Sequence, residues 1–262
     1  MILRRAKLAI RSVPILFPLL HAILKPFRPK GKEDERVRRY CSLLPELVSE
    51  TVFVKVGAND GITGDPVSDI FLSDQRWKGL LIEPVPICFE RLAVTFHDSA
   101  RFALEQVAIG KSAGETTFYY VDQKAAQEIP DLPEWYDQLG SFDRNHIVKH
   151  LNGVLEPFII ERLVEVRTLQ EVLEKNSIRN VHFLHIDTEG YDYEVLKTLN
   201  LADNPPWAIY IEHCHLCRDD KEGMLHLLRK FGYRVDDCGR DYFAIQRKSP
   251  LRRLSKDMAI IY

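Results

Sequence analysis

From residue 51 onward, short and continuously apolar runs alternate with amphipathic helical stretches, and this alternation restricts the fold more than any other feature. Such runs suit strands buried on both faces, as in parallel sheets whose crossovers are helices. Strands are predicted over residues 51–56, 79–82, 103–109, 181–186 and 207–212. Helices are predicted over 65–73, 87–96, 169–175, 191–198 and 221–231. Two final runs, 233–236 and 242–246, flank Cys238-Gly239-Arg240-Asp241 and read as a hairpin closing one edge. The expected architecture is Rossmann-like α/β: a mostly parallel central sheet, helices on both faces and an antiparallel edge hairpin.

Residues 115–168 break the rhythm. Strands are predicted at 116–121 and 164–168, whereas 127–155 is irregular and rich in aromatic and turn residues. A stretch of this length usually covers the mouth of an α/β site, so it is expected to be a lid. At 262 residues the chain suits one large domain. The expected division is a basic arm over 1–40, a body over 41–248 and a tail over 249–262.

Residues 1–40 hold eleven Lys/Arg and three Asp/Glu, a balance of +8 within a net charge of −2, so the remainder carries −10. A body this acidic opposes phosphate contacts, and nucleic acid is not an expected partner. The apolar stretch 13–24 is interrupted by Pro14, Pro18 and His21. It is too short for a bilayer, which needs about 20 apolar residues, and no small-residue cleavage site follows. It reads as a mobile or surface-docked arm. The next reading is peripheral contact with an anionic membrane through residues 1–32. Five scattered cysteines suit reduced thiols in the cytoplasm rather than a disulfide framework.

Residues 52–65, VFVKVGANDGITGD, place a buried strand before Gly57-Ala58-Asn59-Asp60-Gly61 and then a helix. Glycines there permit a tight turn and close backbone approach to a ligand at a helix N-terminus. The run Leu80-Leu81-Ile82-Glu83-Pro84 ends a second strand in a carboxylate, the position from which a ribose diol is held. The Gly-x-Gly-x-x-Gly spacing that admits a pyrophosphate is missing. The pattern therefore favours an adenosyl ligand without a pyrophosphate over a nicotinamide-dependent oxidoreductase on a similar sheet.

The segments VGANDG, LIEP, LGSFDRNHI (139–147), LHIDTEGYDYEVL (184–196) and IEHCHL (211–216) resemble the FkbM family of methyltransferases, across about residues 50–247. The resemblance implies a class I methyltransferase fold, S-adenosylmethionine as donor, and O-methylation of a small-molecule, glycan or lipid hydroxyl. It also implies that Gly57, Ala58, Asn59, Asp60 and Gly61 line the methionine and ribose portion, that Glu83 holds the ribose, and that Ala108 flanks the adenine. One position departs from the pattern. Many methyltransferases have an acid two places before the first glycine, where this chain has Lys55. A lysine there repels the donor ammonium, so either another carboxylate takes over or the donor site has decayed into a binding site without catalysis.

Methyl transfer from a sulfonium is an in-line displacement that needs an aligned and deprotonated acceptor. Asp187 ends an apolar strand and Glu189 follows, so both are expected at the carboxyl edge of the sheet, Asp187 near donor and acceptor alike. Helix capping is the structural alternative for Asp187. Glu212-His213-Cys214-His215 ends the next strand; continued extension points His213 and His215 to one face and Glu212 and Cys214 to the other. His213 is the expected base or acceptor-orienting group. His213, His215 and Cys217 match no common zinc spacing, whereas Asp187 and Glu212 suit a hard cation such as Mg²⁺. Ser141, Asp143 and His146 are candidate acceptor contacts, and Trp135 and Tyr136 candidate stacking platforms.

Overall fold

The computed structural model describes residues 32–250. The basic segment 1–31 and the tail 251–262 lie outside the described residues, and with them the expected membrane-surface contact. Among the described residues no helix is long and apolar enough to cross a membrane.

The buried apolar runs form a seven-stranded sheet. Its members are β1 (Thr51–Val56), β2 (Trp77–Ile82), β3 (Phe102–Glu105), β7 (Phe183–Ile186), β8 (Ala208–Glu212), β9 (Tyr233–Cys238) and β10 (Asp241–Gln246). The order is β3-β2-β1-β7-β8-β10-β9. Strands β3, β2, β1, β7 and β8 pair in parallel, and β10 runs antiparallel to both β8 and β9. The hairpin residues thus end the sheet as expected, with β10 placed inside β9. This is the Rossmann-like sheet anticipated from the alternation.

Successive residues of each strand feed opposite layers. Val54, Val56, Leu80, Ile82, Leu184, Ile186, Ile209 and Ile211 pack with α6 (Leu169–Lys175), α7 (Asp192–Lys197) and α8 (Arg218–Lys230). Phe53, Leu81, Phe183, Tyr210 and Phe243 face the other layer, with α1 (Lys32–Leu43), α2 (Ser68–Ser73) and α3 (Pro86–Thr95). Phe53 stacks on Phe71 at 4.0 Å. Gly79 of the neighbouring strand admits that ring, since a Cβ there would lie 2.2 Å from it.

Three expectations are corrected. The end of the expected basic arm, residues 32–40, belongs to α1 and packs on the body, because Val37, Tyr40 and Cys41 form an apolar stripe that is buried. Arg36 and Arg38 on the same helix pair with Asp236 and Asp69. The single run 103–109 is two strands: β3 stays in the main sheet, and β4 (Ala108–Ile109) joins a three-stranded sheet with β5 (Gly114–Val121) and β6 (Ile159–Arg167), in the order β4-β6-β5. Apolar continuity conceals the break at Gln106-Val107.

The irregular stretch is, third, an ordered layer. It contains the short helices α4 (Ala125–Glu128) and α5 (Arg144–Lys149), separated by tight turns around a core of Leu132, Tyr136, Leu139, Ile147 and Leu155. It is fastened at several points. Arg91 Nη1 of α3 donates to Asp137 Oδ2 at 2.6 Å, both side chains being 1% exposed. Gln138 Nε2 donates to the carbonyl of Thr63 at 2.8 Å. Ser141 bridges to Tyr119 of β5.

Candidate active site

Parallel register brings the ends of four strands into one row. Val56 pairs with Ile82 and with Ile186, and Ile186 pairs with Ile211. The next residues are Glu83, Gly57, Asp187 and Glu212, which therefore emerge together at the carboxyl edge, where open α/β sheets hold ligands.

The turn after β1 is built by its own polar groups. The amides of Gly57 and Ala58 both donate to the carbonyl of Ile82. Gly57 has φ +75°, and a Cβ on it would lie 1.7 Å from the backbone oxygen of Asp187. Asn59 also occupies the left-handed region, at φ 49°. Asp60 is fully buried; its Oδ1 accepts from the amides of Ile62 and Thr63 and its Oδ2 from the Thr63 hydroxyl. Asp60 thus shapes the turn, and Gly61 packs on Phe96 and Leu92.

Glu83 is 5% exposed. Its Oε2 accepts from the Asn59 amide and its Oε1 from the Val85 amide, both at 2.8 Å. Each carboxylate oxygen has acceptor capacity left beyond one amide. Burial raises the Glu83 pKa to about 7 against the pull of those two amides. Ala108 lies on β4, in the second sheet, packed with Val85 and Cys88 beyond the Glu83 turn.

Lys55 is paired. Its ammonium contacts the Asp65 carboxylate inside the protein, at 6% and 0% side-chain exposure. Asp65 Oδ1 also accepts from the amides of Val67 and Ser68 at the start of α2. Burial opposes the Asp65 charge, yet Lys55, then His185, hold the carboxyl below its usual range. The lysine charge is balanced within the core, which removes the basis for expecting repulsion of a donor ammonium.

Asp187 and the residues after it form the second half of the site. Asp187 does not cap the following helix, whose N-terminus takes no side-chain cap; Asp192, the first residue of α7, instead fastens the preceding loop, its Oδ1 accepting from the Thr188 amide and its Oδ2 from the Gly190 amide. The carboxylate of Asp187 takes no hydrogen bond among the described residues. Burial, then the neighbouring carboxylates Glu212, Glu189 and Asp192, push its pKa well up. Oxygens of Asp187, Glu189 and Glu212 lie within 4.8 Å of one another. Burial followed by Glu189 raises Glu212 to about 7.

The structure separates the two histidines that were expected on one face, while Cys214 stays with Glu212. The strand ends at Glu212 and the chain turns, so alternation stops. His215 Nε2 comes to 3.4 Å from Glu189 and 3.9 Å from Glu212. His213 instead stacks on Tyr242 at 3.9 Å, with Nε2 3.5 Å from Asp237 on the hairpin. Cys217 Sγ accepts from the Asp220 amide at the start of α8, and is placed as a helix cap.

From the ordered layer, His146 Nε2 reaches Glu189 Oε2 at 3.1 Å. Asp143 caps α5 through the Asn145 amide, which fixes the helix that carries His146. Ser141 is buried in its bridge, its hydroxyl accepting from the Asp143 amide. Tyr136 is 2% exposed and belongs to the layer's core, so it is no stacking platform, whereas Trp135 is 39% exposed beside His150. Sequence reasoning passed over His150, whose ring lies 4.7 Å from that of His146 and 5.5 Å from that of His215. The i, i+4 spacing of His146 and His150 was the available signal.

Glu83 and Asp192 make stability depend on pH. Burial raises Glu83 to about 7 and Asp192 to about 8, whereas an unfolded chain releases both protons near pH 4. Between those values the native state holds protons that the unfolded state has lost, so stability falls as pH rises. Each group contributes up to ~1.4 kcal/mol per pH unit. Urea unfolding of the ligand-free protein is expected to show a lower midpoint at pH 8.5 than at pH 5.5, and a shallower fall for Glu83→Gln. Equal pH profiles for the two proteins would exclude Glu83 as a source.

The model of the methyltransferase FkbM domain matches residues 55–235. No curated protein matches the chain. Among solved structures, a human methyltransferase 10 domain containing protein superposes with a TM-score of 0.46 at 12% identity, over 92% of this chain and 96% of that one. The METTL16 MTase domain gives 0.44 at 11% identity, over 90% and 78%. The family match spans the glycine turn, Glu83, the ordered layer and the carboxylate cluster, and the chain belongs to the FkbM methyltransferase domain family.

Proposed function

We propose that the protein transfers a methyl group from S-adenosylmethionine to a hydroxyl of a small molecule, sugar or glycan-bearing lipid. The observation that carries this reading is the row of strand ends: a glycine turn and Glu83 on one side, and Asp187 with Glu189 and Glu212 on the other. The turn has no pyrophosphate spacing, and the remaining acceptor capacity of Glu83 suits a ribose diol. The donor supplies an activated methyl on a sulfonium. The chain supplies alignment and a proton acceptor: Asp187, free of capping duty, faces the acceptor, and Glu189 is oriented by His146 and His215. Deprotonating a hydroxyl is what separates this task from methylating an already nucleophilic nitrogen.

Calorimetry with S-adenosylmethionine and with NAD tests the reading. Micromolar binding of the first and none of the second is expected; the reverse would identify an oxidoreductase. Binding of neither would identify a non-catalytic protein, a reading that the Lys55–Asp65 pair already deprives of its motive. Glu83→Ala is expected to weaken donor binding by roughly 1–3 kcal/mol, through loss of charge-assisted ribose bonds and of the Asn59 anchor. An unchanged Kd in a folded variant would sink the ribose assignment.

A further inference from the structure

We infer that Asp187, Glu189 and Glu212, with His215 beside them, form a binding site for one divalent cation of the Mg²⁺ or Mn²⁺ type. The inference deepens the methyltransferase reading and rests on it for the cation's use, though not for its binding. Three carboxylates from two strand ends place oxygens within 4.8 Å of one another. That spacing suits oxygens around a single ion and is unfavourable for bare negative charges in a half-buried setting.

Proximity of acids alone does not make a site. The independent observation is Glu212, whose side chain is 6% exposed. Its Oε1 accepts from Arg240 Nη2 at 3.0 Å and from Cys214 Sγ at 3.2 Å, whereas its Oε2 is buried without a hydrogen-bond partner. A buried carboxylate oxygen left unmatched costs on the order of 1–3 kcal/mol or more, and native proteins rarely leave one without a role. Among the described residues no ammonium or guanidinium pairs with it: Arg240 bonds the other oxygen and is 68% exposed. His215 Nε2 lies 3.9 Å from Glu212 Oε2, beyond a hydrogen bond, and 3.4 Å from Glu189 Oε2. Asp187 likewise has no hydrogen bond to its carboxylate among the described residues. One buried unmatched carboxylate oxygen, a second carboxylate without a protein partner among the described residues and a third held by imidazoles are the complement of a cation.

The donor chemistry selects the class. Carboxylate oxygens favour Mg²⁺, Ca²⁺ and Mn²⁺, and an imidazole at the margin moves the preference toward Mn²⁺ within that group. Cys214 Sγ donates to Glu212 Oε1 at 3.2 Å, and the group formed by Asp187, Glu189 and Glu212 offers oxygen donors alone, which suits a hard cation. A cation at the row of strand ends would supply Lewis-acid activation of an acceptor oxygen. It would also offset the carboxylate charge that burial penalises.

The test uses the full chain after exhaustive chelation and titrates it with Mn²⁺, followed by electron paramagnetic resonance of the free ion and by thermal shift. One Mn²⁺ per chain is expected, with competition by Mg²⁺ and a rise in Tm. Glu212→Gln, which keeps an acceptor for Arg240, and Asp187→Asn are each expected to weaken Mn²⁺ at least tenfold. Asp219→Asn, an exposed acid on α8, is expected to leave it unchanged. Absence of saturable binding, or equal binding by wild type and both site variants, would overturn the site. S-adenosylmethionine titrated into the same samples keeps the two readings apart. Donor binding without Mn²⁺ binding removes the cation and leaves the methyltransferase standing. Mn²⁺ binding that both variants weaken supports the site even where the donor fails to bind.

Discussion

Replacing Asp187 by Asn is expected to lower methyl-transfer turnover by about 10²-fold or more while the fold is retained, in the range of general-base contributions. The residue is positioned by backbone, since its amide donates to Val56 of β1 and its carbonyl lies against Gly57. Its side chain carries no structural hydrogen bond among the described residues, and the loop amides of Thr188 and Gly190 go to Asp192 instead. Asparagine preserves size and polarity and removes the charge, and with it both the basicity and the ligand to the cation proposed above. The loss should therefore appear in kcat rather than in unfolding midpoints. Donor affinity should change by less than tenfold, since Glu83 and the glycine turn belong to different strands. Glu189→Gln is expected to fall in the same direction, with a smaller effect if its role is to hold His146 and His215. His213→Ala, placed against Tyr242, should cost stability more than turnover. Near-native turnover in Asp187→Asn would show that the acceptor loses its proton elsewhere. Loss of turnover together with loss of fold would assign Asp187 to architecture instead.

The parts of this site that depend on strand ends were legible in the sequence. Buried parallel strands must be continuously apolar, so the first polar residue after each run marks the carboxyl edge, and Gly57, Glu83, Asp187 and Glu212 could be placed there without coordinates. What was illegible depends on partners distant in the chain or on where a strand stops. Lys55 read as a defect because nothing local indicates that Asp65 folds back onto it. Asp187 reads as well for a helix cap as for a site acid, and only the geometry shows that the helix takes no side-chain cap and that the loop amides of Thr188 and Gly190 go to Asp192. The facing of His213 and His215 was read by extending the two-residue alternation one turn too far. The helix α1 was concealed by charge: its apolar stripe is narrow and its remaining face is solvated. The ordered layer was read as loop because its helices are four and six residues long and bury their apolar residues against each other, which leaves no periodic signature.

That layer supplies the second large effect. Asp137→Ala is expected to destabilise the protein by about 3–5 kcal/mol, the usual cost of removing one partner from a buried ion pair. Arg91 and Asp137 are each 1% exposed and meet at 2.6 Å, so the variant leaves a guanidinium inside the protein without the carboxylate that faces it. The surroundings are closely packed: Cys88 donates to the Asp137 carbonyl, Tyr136 is buried beside it, and Gln138 bonds the Thr63 carbonyl just after the glycine turn. The pair therefore couples α3 to the segment that carries His146 toward Glu189. Urea unfolding should show a midpoint shift without a change in slope. Limited proteolysis should cut first within 127–155 if the layer opens before the sheet does. The double replacement Arg91→Met with Asp137→Leu separates charge from packing. Apolar residues of similar volume are expected to recover most of the lost stability, because desolvation of both charges is then avoided. Such a protein should still bind donor through the glycine turn and Glu83. Its turnover reports whether the layer's registration at His146, rather than its mere presence, matters for methyl transfer. A destabilisation below about 1 kcal/mol for Asp137→Ala would show that the layer rests on the Gln138 and Ser141 contacts alone, and that α3 and the site are mechanically independent.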